Sequence, residues 1–336
     1  MITLPFMPRC GFLLVCGTAV VANAIYATHT AHAAYPEKPL RVLVGFPAGS
    51  SMDTAARPIA SQLSEQMKQN FVIDNRAGAA GNISADLAAH SRPDGYTLLF
   101  GGNAALVINP ALYGKLPFDT LRDFAPICKT ADAINLLMVN PGVAAASVTQ
   151  LIEIAKASAK GTGKPLLGGS GGVGTPGHLS LELFNMMAGT RITHVPYKGT
   201  PAALIDAISG NIQVLFTAQA PALPHVRAGR VKALAVTSLK RSELMPELPT
   251  VSESGLKGFE VTSWYGLLAP AQTPRDIIER LYREMTKVMQ APTVRQTLAA
   301  QGFEIDLRGP APFTAFIREE LAKWAKVVKF SGAKVN

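Results

Sequence analysis

The sequence is poor in cysteine, in clustered metal ligands and, beyond its first residues, in long apolar runs. Three cysteines occur among 336 residues, at Cys10, Cys16 and Cys128. If a leader containing the first two were removed, Cys128 would be alone, so no internal disulfide is expected. The histidines are dispersed and no metal-ligand spacing is found. We therefore expect neither a metal nor a cofactor.

The chain also lacks a basic stripe with interleaved aromatic residues. Lys and Arg number 32 against 23 Asp and Glu, which gives a formal net charge of +9, but the basic residues are scattered. Nucleic-acid binding is therefore not expected. The positive charge fits either a general bias towards anionic ligands or an ordinary solubilising surface.

Residues 1–33 have the features of a secretory signal peptide. Arg9 is the only charged residue among them, and an apolar run over residues 10–25 follows it. The run is short for a bilayer span, and Ala-His-Ala before Ala34 is typical of a cleavage site. We expect cleavage near Ala33, export, and a water-soluble mature protein, since no apolar run downstream approaches membrane-spanning length.

Short apolar runs alternate with helical segments through the rest of the chain, which is typical of parallel strands joined by crossover helices. The Val, Leu and Ile content of these runs suits strands buried on both faces. Capping boxes and Thr-Pro pairs mark the helix starts. Strands are predicted over residues 40–46, 71–74, 96–100, 136–139, 165–167, 192–195, 213–216, 233–237 and 262–269; the caps are Ser147, Thr250, Thr175, Thr200 and Thr273.

Two seams in this pattern indicate two lobes. A strand runs out into an Asn-Pro-Gly turn after Val139, and glycine-containing turns precede an apolar strand with Trp264. If the chain leaves one lobe at the first seam and returns at the second, the outer pieces form one lobe together. We predict lobe 1 from residues 34–138 and 259–336, and lobe 2 from residues 139–258.

The first candidate binding segment is the loop of residues 46–53, which we call the first loop. It joins the first predicted strand to an amphipathic helix and contains Gly49, which permits a tight turn. Unpaired amides and the partial positive charge at the helix start predict an anion site there. In an alternative interpretation Ser50 and Ser51 only cap the helix. For Asp53 we favour a capping role that complements the helix dipole.

The second candidate segment, residues 168–178, is again a glycine-rich connection between a strand and a helix, and we call it the second loop. Its amides and the Thr175 hydroxyl predict another anion site, which His178 in the first helical turn could reach. A histidine at this place is as often a packing or capping residue. The glycines also fit a dinucleotide fingerprint, but no acidic residue follows about twenty positions on, so we reject that cofactor.

The second loop contains one enzymatic pattern. A GxSxG sequence centred on Ser170 fits the nucleophile elbow of serine hydrolases, with Asp206 and His225 following in the order that those enzymes use. The elbow requires a helix directly after the serine, whereas the helix start is predicted at Thr175. A secreted serine hydrolase using Ser170 is the enzymatic alternative.

Further strand–helix junctions carry Asn103, Tyr197 and Gln219. In open α/β sheets ligands bind outside the carboxyl ends of the strands, so we expect these junctions to converge on one crevice. No catalytic residue is predicted. The predicted ligand-binding residues are Phe46, Pro47, Ala48, Gly49, Ser50, Ser51, Asn103, Gly171, Gly172, Val173, Gly174, Thr175, His178, Tyr197 and Gln219.

Short motifs follow one another along the mature chain: Tyr35-Pro36-x-Lys38-Pro39, the first loop, Asp74-Asn75-Arg76-x-Gly78, Pro93-Asp94-Gly95-Tyr96, Gly174-Thr175-Pro176-x-His178 and His194-Val195-Pro196-Tyr197-Lys198-Gly199. In this order they resemble the Bug-type receptors of tripartite tricarboxylate transporters almost from end to end. The resemblance implies an α/β, two-lobed periplasmic-binding-protein (flytrap) fold, in which each lobe is a mainly parallel sheet flanked by helices. One departure is Gly49-Ser50, where the family usually has two glycines.

The resemblance also implies a function. It predicts a monomeric periplasmic receptor, without catalytic activity, that closes on a small organic carboxylate and delivers it to cognate membrane permease subunits. In that family loop amides, hydroxyls and ordered water hold the carboxylate, with few charged side chains. The matching positions here are 46–51 and 171–175. A ligand sensor that serves a signalling partner is a further hypothesis.

Overall fold

The computed structural model describes residues 1–3, 35–161 and 164–333. Residues 4–33 of the predicted signal peptide and its cleavage site lie outside these residues. The strands are β1 (Leu40–Val44), β2 (Phe71–Asn75), β3 (Thr97–Gly102), β4 (Phe124–Val139), β5 (Leu167–Ser170), β6 (Thr193–Pro196), β7 (Val214–Ala218), β8 (Lys232–Val236), β9 (Thr262–Pro270) and β10 (Phe303–Arg308).

The helices lie between these strands and after them. They are α1 (Ser51–Met67), α2 (Asn82–Ala89), α3 (Asn109–Leu112), α4 (Val148–Ala159), α5 (Pro176–Ala188), α6 (Thr200–Ser209), α7 (Gln219–Arg227), α8 (Arg275–Gln290), α9 (Pro292–Ala300) and α10 (Pro310–Ser331). A 3₁₀ turn (Ala79–Gly81) precedes α2, and a π-helical turn (Ala104–Ile108) precedes α3. No helix in the described part of the chain combines the length and apolar character needed to cross a bilayer.

The strands form a mixed sheet in the order β2-β1-β3-β9-β4-β7-β5-β6, with β8 and β10 also pairing with β4. Parallel pairs lie towards the two ends, where β1 pairs with β2 and β3, and β5 pairs with β6 and β7. In the middle, β4 and β9 run antiparallel to their described neighbours. The prediction of parallel strands with crossover helices therefore describes the ends of the sheet, and two long antiparallel strands join them.

β4 belongs to both halves of this sheet. Its first part, up to Ile134, pairs with β9, whereas its last part, from Asn135, pairs with β7. One continuous strand thus connects the strands of predicted lobe 1 to those of predicted lobe 2. The lobe boundaries themselves stay a prediction.

Each predicted strand overlaps an observed one, but the sequence pattern missed β10 and the first twelve residues of β4. Charged residues interrupt the apolar pattern in both segments. Lys129 in β4 is 1% exposed, and its ammonium group lies 2.6 Å from Asp132 and 2.5 Å from Asp306. The ion pair with Asp306, which lies on a strand far along the chain, allows this lysine to be buried. A local sequence pattern contains no information about such a partner.

Two of the predicted caps are correct. The Ser147 hydroxyl accepts a hydrogen bond from the Gln150 amide (3.2 Å) at the start of α4, and the Thr175 hydroxyl accepts one from the His178 amide (3.4 Å) at the start of α5. Both bonds pair an amide that a helix start otherwise leaves without a partner.

Three other caps differ from the prediction. Thr250 and Glu253 exchange the expected hydrogen bonds, but they close a turn and not a helix. Thr200 is the first residue of α6 rather than its cap, because Gly199 occupies the capping position. Thr273 precedes the cap of α8, Pro274, and its hydroxyl is buried without a hydrogen-bond partner among the described residues.

Trp264 fixes β9 against α10. Its side chain is fully buried, edge-on to the Phe313 ring at a centroid distance of 5.5 Å, and its indole N–H donates to the Glu320 carboxylate at 3.2 Å. An aromatic ring of this size supplies a large buried apolar area, and its polar atom is paired. These contacts hold β9 beside β4 and β3.

Candidate functional site

A cavity of about 290 Å³ is lined by residues from both predicted lobes. Its wall combines hydroxyl, amide, backbone and apolar groups, and none of the lining side chains is charged. The lining residues are Gly49, Ser51, Thr54, Ala133, Thr200, Ala218, Ala220, Pro221, Gln301, Gly302 and Phe303.

Three helix N-termini meet at this cavity. Ser51 is the first residue of α1 and Thr200 is the first residue of α6, while α7 begins between Ala218 and Ala220. The first amides of a helix have no partner within it, and each N-terminus carries roughly half a positive charge. The cavity therefore has a positive potential from the backbone without a lysine or arginine in its wall, which suits an anion.

The first loop forms a capped helix start. Gly49 has φ +79°, a backbone conformation that glycine adopts readily and other residues rarely do. The Ser50 hydroxyl accepts a hydrogen bond from the Asp53 amide at 3.3 Å, so Ser50 is the cap of α1. Ser51 is exposed, and its hydroxyl accepts a hydrogen bond from the Tyr265 hydroxyl at 2.9 Å.

The first loop is folded around the Asp53 carboxylate, which is 1% exposed. The carboxylate accepts two hydrogen bonds from Arg57 (both 2.8 Å), one from the Gly49 amide (2.8 Å) and one from the Asn75 side chain (2.9 Å). Burial alone would raise the pKa of Asp53, but these hydrogen bonds together hold it below its ordinary value. Asp53 therefore does more than complement the dipole, and the Gly49 amide is bonded within the protein.

The remaining residues of the first loop are held less tightly. Phe46 is half-buried, and its carbonyl accepts a hydrogen bond from the Asn75 side chain at 2.9 Å. Pro47 and Ala48 are exposed, and the Pro47 carbonyl accepts the Ser50 amide at 3.1 Å. None of these three side chains lines the cavity.

The second loop bonds most of its own amides. The Gly172 amide donates to the Ser170 hydroxyl at 3.1 Å, and the Gly174 amide donates to Nδ1 of His178 at 3.1 Å. The Thr175 amide donates to the Gly172 carbonyl at 3.3 Å, whereas the Val173 side chain is exposed. These bonded amides are not available as ligand donors in this conformation.

Two stacked histidines support the second loop. The ring of His194 lies 3.9 Å from that of His178, at an angle of 26°, and Nε2 of His194 lies 2.7 Å from the Ser170 hydroxyl. Burial lowers the pKa of His178 to about 3, with a further contribution from His194, and it lowers the pKa of His194 to about 4. Both rings are therefore neutral at pH 7. Because Nδ1 of His178 accepts the Gly174 amide, its proton is on Nε2.

The geometry does not support a hydrolase site at Ser170. Ser170 is fully buried and α5 begins at Pro176, as the sequence indicates. Asp206 accepts hydrogen bonds from Tyr197 and Asn211, and Nδ1 of His225 is buried without a partner among the described residues. Ser170 bonds His194 instead, and no carboxylate in the described part of the chain forms a hydrogen bond with that histidine, so the chain from acid to histidine to serine is not formed there.

The other predicted ligand residues have partners within the protein. Asn103 is buried, and its side chain donates to the Thr262 carbonyl at 3.0 Å. The Tyr197 hydroxyl donates to Asp206 at 2.7 Å. Burial, and to a smaller extent the Asp206 carboxylate, raises the pKa of Tyr197 to about 12. Gln219 is 1% exposed and accepts a hydrogen bond from Ser242, but its amide nitrogen has no partner within the described chain.

Of the predicted residues, Gly49 and Ser51 line the cavity. The second loop contacts the wall through Gly171, where a Cβ atom would lie 2.9 Å from the Thr200 hydroxyl. Thr200 was predicted as a helix cap but not as a ligand-binding residue, although its position after Lys-Gly and before a proline marks a helix start. Gln301 was also missed, because it precedes β10, which no apolar pattern revealed.

Comparisons with known proteins agree with the fold. A family model described as the tripartite tricarboxylate transporter family receptor matches residues 55–333. BugT of Bordetella pertussis is 34% identical over 317 residues, which cover 94% of this chain and 96% of BugT. The predicted α/β class of periplasmic solute-binding proteins is confirmed by solved structures.

Two of these structures contain small acids. The structure described as R. palustris Rpa4515 with adipate is 34% identical, with a TM-score of 0.75, over 90% of this chain and 100% of that one. MatC (Rpa3494) from Rhodopseudomonas palustris with bound malate is 29% identical, with a TM-score of 0.72, over 88% of this chain and 100% of MatC.

Proposed function

The chain belongs to the Bug-type tripartite tricarboxylate transporter receptor family, and from this premise we propose that it captures a small organic carboxylate and delivers it to cognate membrane permease subunits. The family and the fold are those of substrate-binding receptors, and no catalytic step is proposed. With its predicted signal peptide, the receptor would act in the periplasm, where cleavage near Ala33 releases it.

The observation that carries this proposal is the meeting of three helix N-termini at one uncharged cavity. A carboxylate accepts hydrogen bonds from unpaired helix amides, and bonds to a charged group contribute about 1.5–3 kcal/mol each. The hydroxyls of Ser51 and Thr200 are additional donors at the same wall, whereas that of Thr54 donates to the Ser51 carbonyl at 3.0 Å. An anion would therefore be bound by dipoles and hydroxyls without a salt bridge.

The position of the helix starts also supports closure of the two lobes on the ligand. The α1 terminus belongs to predicted lobe 1, whereas the α6 and α7 termini belong to predicted lobe 2. A carboxylate that contacts both sides binds the closed form more tightly than the open form, and so it shifts the population towards closure. The ligand thereby prepares the form that the permease would recognise.

The size of the cavity favours a small ligand. At about 290 Å³, it lies near the lower limit of small-molecule sites, which span roughly 300–1,000 Å³. Relatives have been solved with adipate and with malate, and we propose that this receptor takes an acid of that class. Ala133 and Phe303 would contact the carbon chain between polar ends.

A thermal-shift screen of the mature protein against organic acids tests binding. A ligand at 100 times its Kd stabilises the folded state by about 2.7 kcal/mol, which raises Tm by roughly 4 °C for a chain of this size. The panel would contain adipate, malate, and the monocarboxylate and amide analogues of each. Stabilisation by an acid and not by its amide is expected, and no shift from any acid would contradict the proposal.

A matched pair of variants at Ser51 separates electrostatics from folding. Ser51→Asp places a carboxylate at the wall, where it repels an anionic ligand but favours the N-terminus of α1. Ser51→Asn has nearly the same size without the charge. We expect Ser51→Asp to fold with unchanged or higher Tm and to lose the acid-induced shift, while Ser51→Asn retains most of it. Equal shifts in both variants would place the ligand elsewhere.

Delivery to a permease requires a separate experiment. Deleting the gene should abolish uptake of the acid identified in the screen, and the gene for the chain should restore uptake. Restoration by the wild type but not by Ser51→Asp would support the transport role. Unchanged uptake together with tight binding would instead favour the ligand-sensor hypothesis.

A further inference from the structure

The stacked pair His178 and His194 lies behind the cavity wall. His178 is 4% exposed and His194 is half-buried, and neither side chain lines the cavity. These neutral rings support the second loop, whereas the charged pair of Asp53 and Arg57 supports the first loop. The pair therefore has a role that direct ligand contact does not explain.

Hydrogen bonds connect this pair to alternate glycines of the second loop. Nδ1 of His178 accepts the Gly174 amide, and the Ser170 hydroxyl, which bonds His194, accepts the Gly172 amide. Gly172 and Gly174 have φ values of +131° and +78°. Glycines in such conformations have many alternatives, so external hydrogen bonds are needed to select one loop shape.

The selected shape is transmitted to the cavity wall. The Ser170 carbonyl accepts the Tyr197 amide at 3.0 Å, and the Gly171 carbonyl accepts the Gly199 amide at 3.2 Å. Gly199 caps α6, whose first residue, Thr200, lines the cavity. The second loop and the start of α6 are thus joined by two backbone hydrogen bonds.

We propose that His178 is a positioning residue of the ligand site, supported by His194: its unprotonated Nδ1 fixes the second loop, which in turn fixes the Thr200 end of α6. The ligand-dependent part of this inference rests on the proposed function. The conformational part does not, since it concerns the hydrogen bonds of the free protein.

The proposed role requires that both rings stay neutral. Protonation of Nδ1 would place a donor opposite the Gly174 amide, which is also a donor, and two charged rings 3.9 Å apart would repel each other. Within the described chain, Glu182 is the one charged side chain that forms an ion pair or hydrogen bond with either ring. It lies 3.8 Å from Nε2 of His178.

Two substitutions of His178 distinguish a positioning role from simple packing. The Oδ1 atom of asparagine in His178→Asn lies near the place of Nδ1 and can accept the Gly174 amide, whereas the longer side chain of His178→Gln puts its amide near the place of Nε2. Both variants lose the ring and its titration. They therefore differ mainly in the one hydrogen bond that the proposal invokes.

The first readout is amide hydrogen exchange of the ligand-free protein, followed by NMR. We expect His178→Asn to keep the Gly174 and Gly199 amides close to wild-type protection, and His178→Gln to exchange them at least about tenfold faster, as expected for a lost hydrogen bond of about 1.4 kcal/mol. Imidazole NMR should show the proton of wild-type His178 on Nε2 at pH 7. A proton on Nδ1 would overturn the proposal.

The second readout is binding of adipate and malate by titration calorimetry. The affinity of His178→Asn should stay within about threefold of wild type, and that of His178→Gln should fall at least about tenfold. If both variants lose affinity equally, and the loss follows the decrease in Tm of each variant, the histidine is only a packing residue. If the wild type binds no acid, the proposed function fails, and the exchange of the Gly174 and Gly199 amides alone decides whether His178 positions the loop.

Discussion

The first and second loops share one local plan but have opposite electrostatics. Each follows a strand, contains a glycine with positive φ and ends at a hydroxyl cap, Ser50 or Thr175. The first loop surrounds Asp53, a buried carboxylate paired with Arg57. The second loop is supported by two buried histidines that are neutral at pH 7. Two loops of the same local plan are therefore stabilised differently, the first by a charged pair and the second by neutral side chains.

The two loops should respond differently to substitution and to acid. A buried charge with its partner in place is satisfied, but removal of the complementary charge or its hydrogen bonds is costly. A histidine that is buried in its neutral form lowers the stability only when the pH is low enough to protonate that histidine in the unfolded chain. The first loop should thus be the more sensitive to mutation, and the second loop the more sensitive to mild acid.

The largest effect is expected for Asp53→Asn in the first loop. The new amide group would face the donors of Gly49 and Asn75 and would leave Arg57 without its partner. We expect a loss of about 3 kcal/mol in the free energy of unfolding, near the lower limit for a broken buried pair because Arg57 is half exposed. Urea unfolding at pH 7 measures it.

Arg57→Gln is the matched control for this variant. The Arg57 side chain is 52% exposed, and its replacement leaves the Asp53 carboxylate with its hydrogen bonds from Gly49 and Asn75. A loss of about 1 kcal/mol is expected. If the two variants were equally destabilised, the Asp53–Arg57 pair would act as a unit, and the remaining donors would contribute nothing measurable.

The next effect is the pH dependence of the second loop. The pKa values of His178 and His194 in the folded state, about 3 and about 4, lie below the ordinary value of about 6.5 in the unfolded chain. Below pH 6.5 the unfolded state therefore binds more protons, and stability falls with decreasing pH. For Asp53, whose pKa is also lowered, the corresponding loss begins only below about pH 4.

We expect the two histidines to lower the stability by about 2 kcal/mol between pH 6.5 and pH 5, half of their combined limit, since His194 is partly exposed. Unfolding in urea across this range gives the slope. The double variant His178→Asn, His194→Gln should show a flatter slope. An unchanged slope would mean that the stacked pair is not the source of the pH dependence.

The smallest effects concern the two caps. Thr175→Ala removes the hydroxyl that accepts the His178 amide and should cost about 1 kcal/mol. Ser50→Gly, which introduces the residue usual in the family, should cost only a few tenths of a kcal/mol, because glycine is itself an acceptable cap. Thermal unfolding compares them. A larger cost for Ser50→Gly would indicate that Ser50 has a role beyond capping.

Much of the fold follows from local patterns. The predicted strands overlap observed ones, and Ser147 and Thr175 cap the helices expected of them. Where the prediction failed, a distant partner was responsible. Lys129 and the charged residues of β10 are compatible with strands because Asp132 and Asp306 neutralise the lysine across the sheet. Thr273 matches a capping pattern, but the observed helix begins later.

The candidate site was predicted less completely than the fold. Gly49 and Ser51 line the cavity, as expected from a loop before a helix. The sequence did not show that Asp53 and His178 occupy the amides of Gly49 and Gly174, since either residue could equally have faced solvent. It also did not show that Thr200 and Gln301 line the same wall, because about a hundred residues separate them along the chain.

The family can be recognised from the sequence alone. The sequence also encodes the strand–loop–helix plan of both loops and the positions of their glycines and caps. These features depend on hydrogen bonds and backbone conformations that span three or four residues, so the chain encodes them locally. The meeting of three helix N-termini at one cavity, the charge of Asp53 and the neutrality of His178 and His194 depend instead on how the chain packs. Burial and the approach of distant partners fix a protonation state, and both arise only when the whole chain is packed.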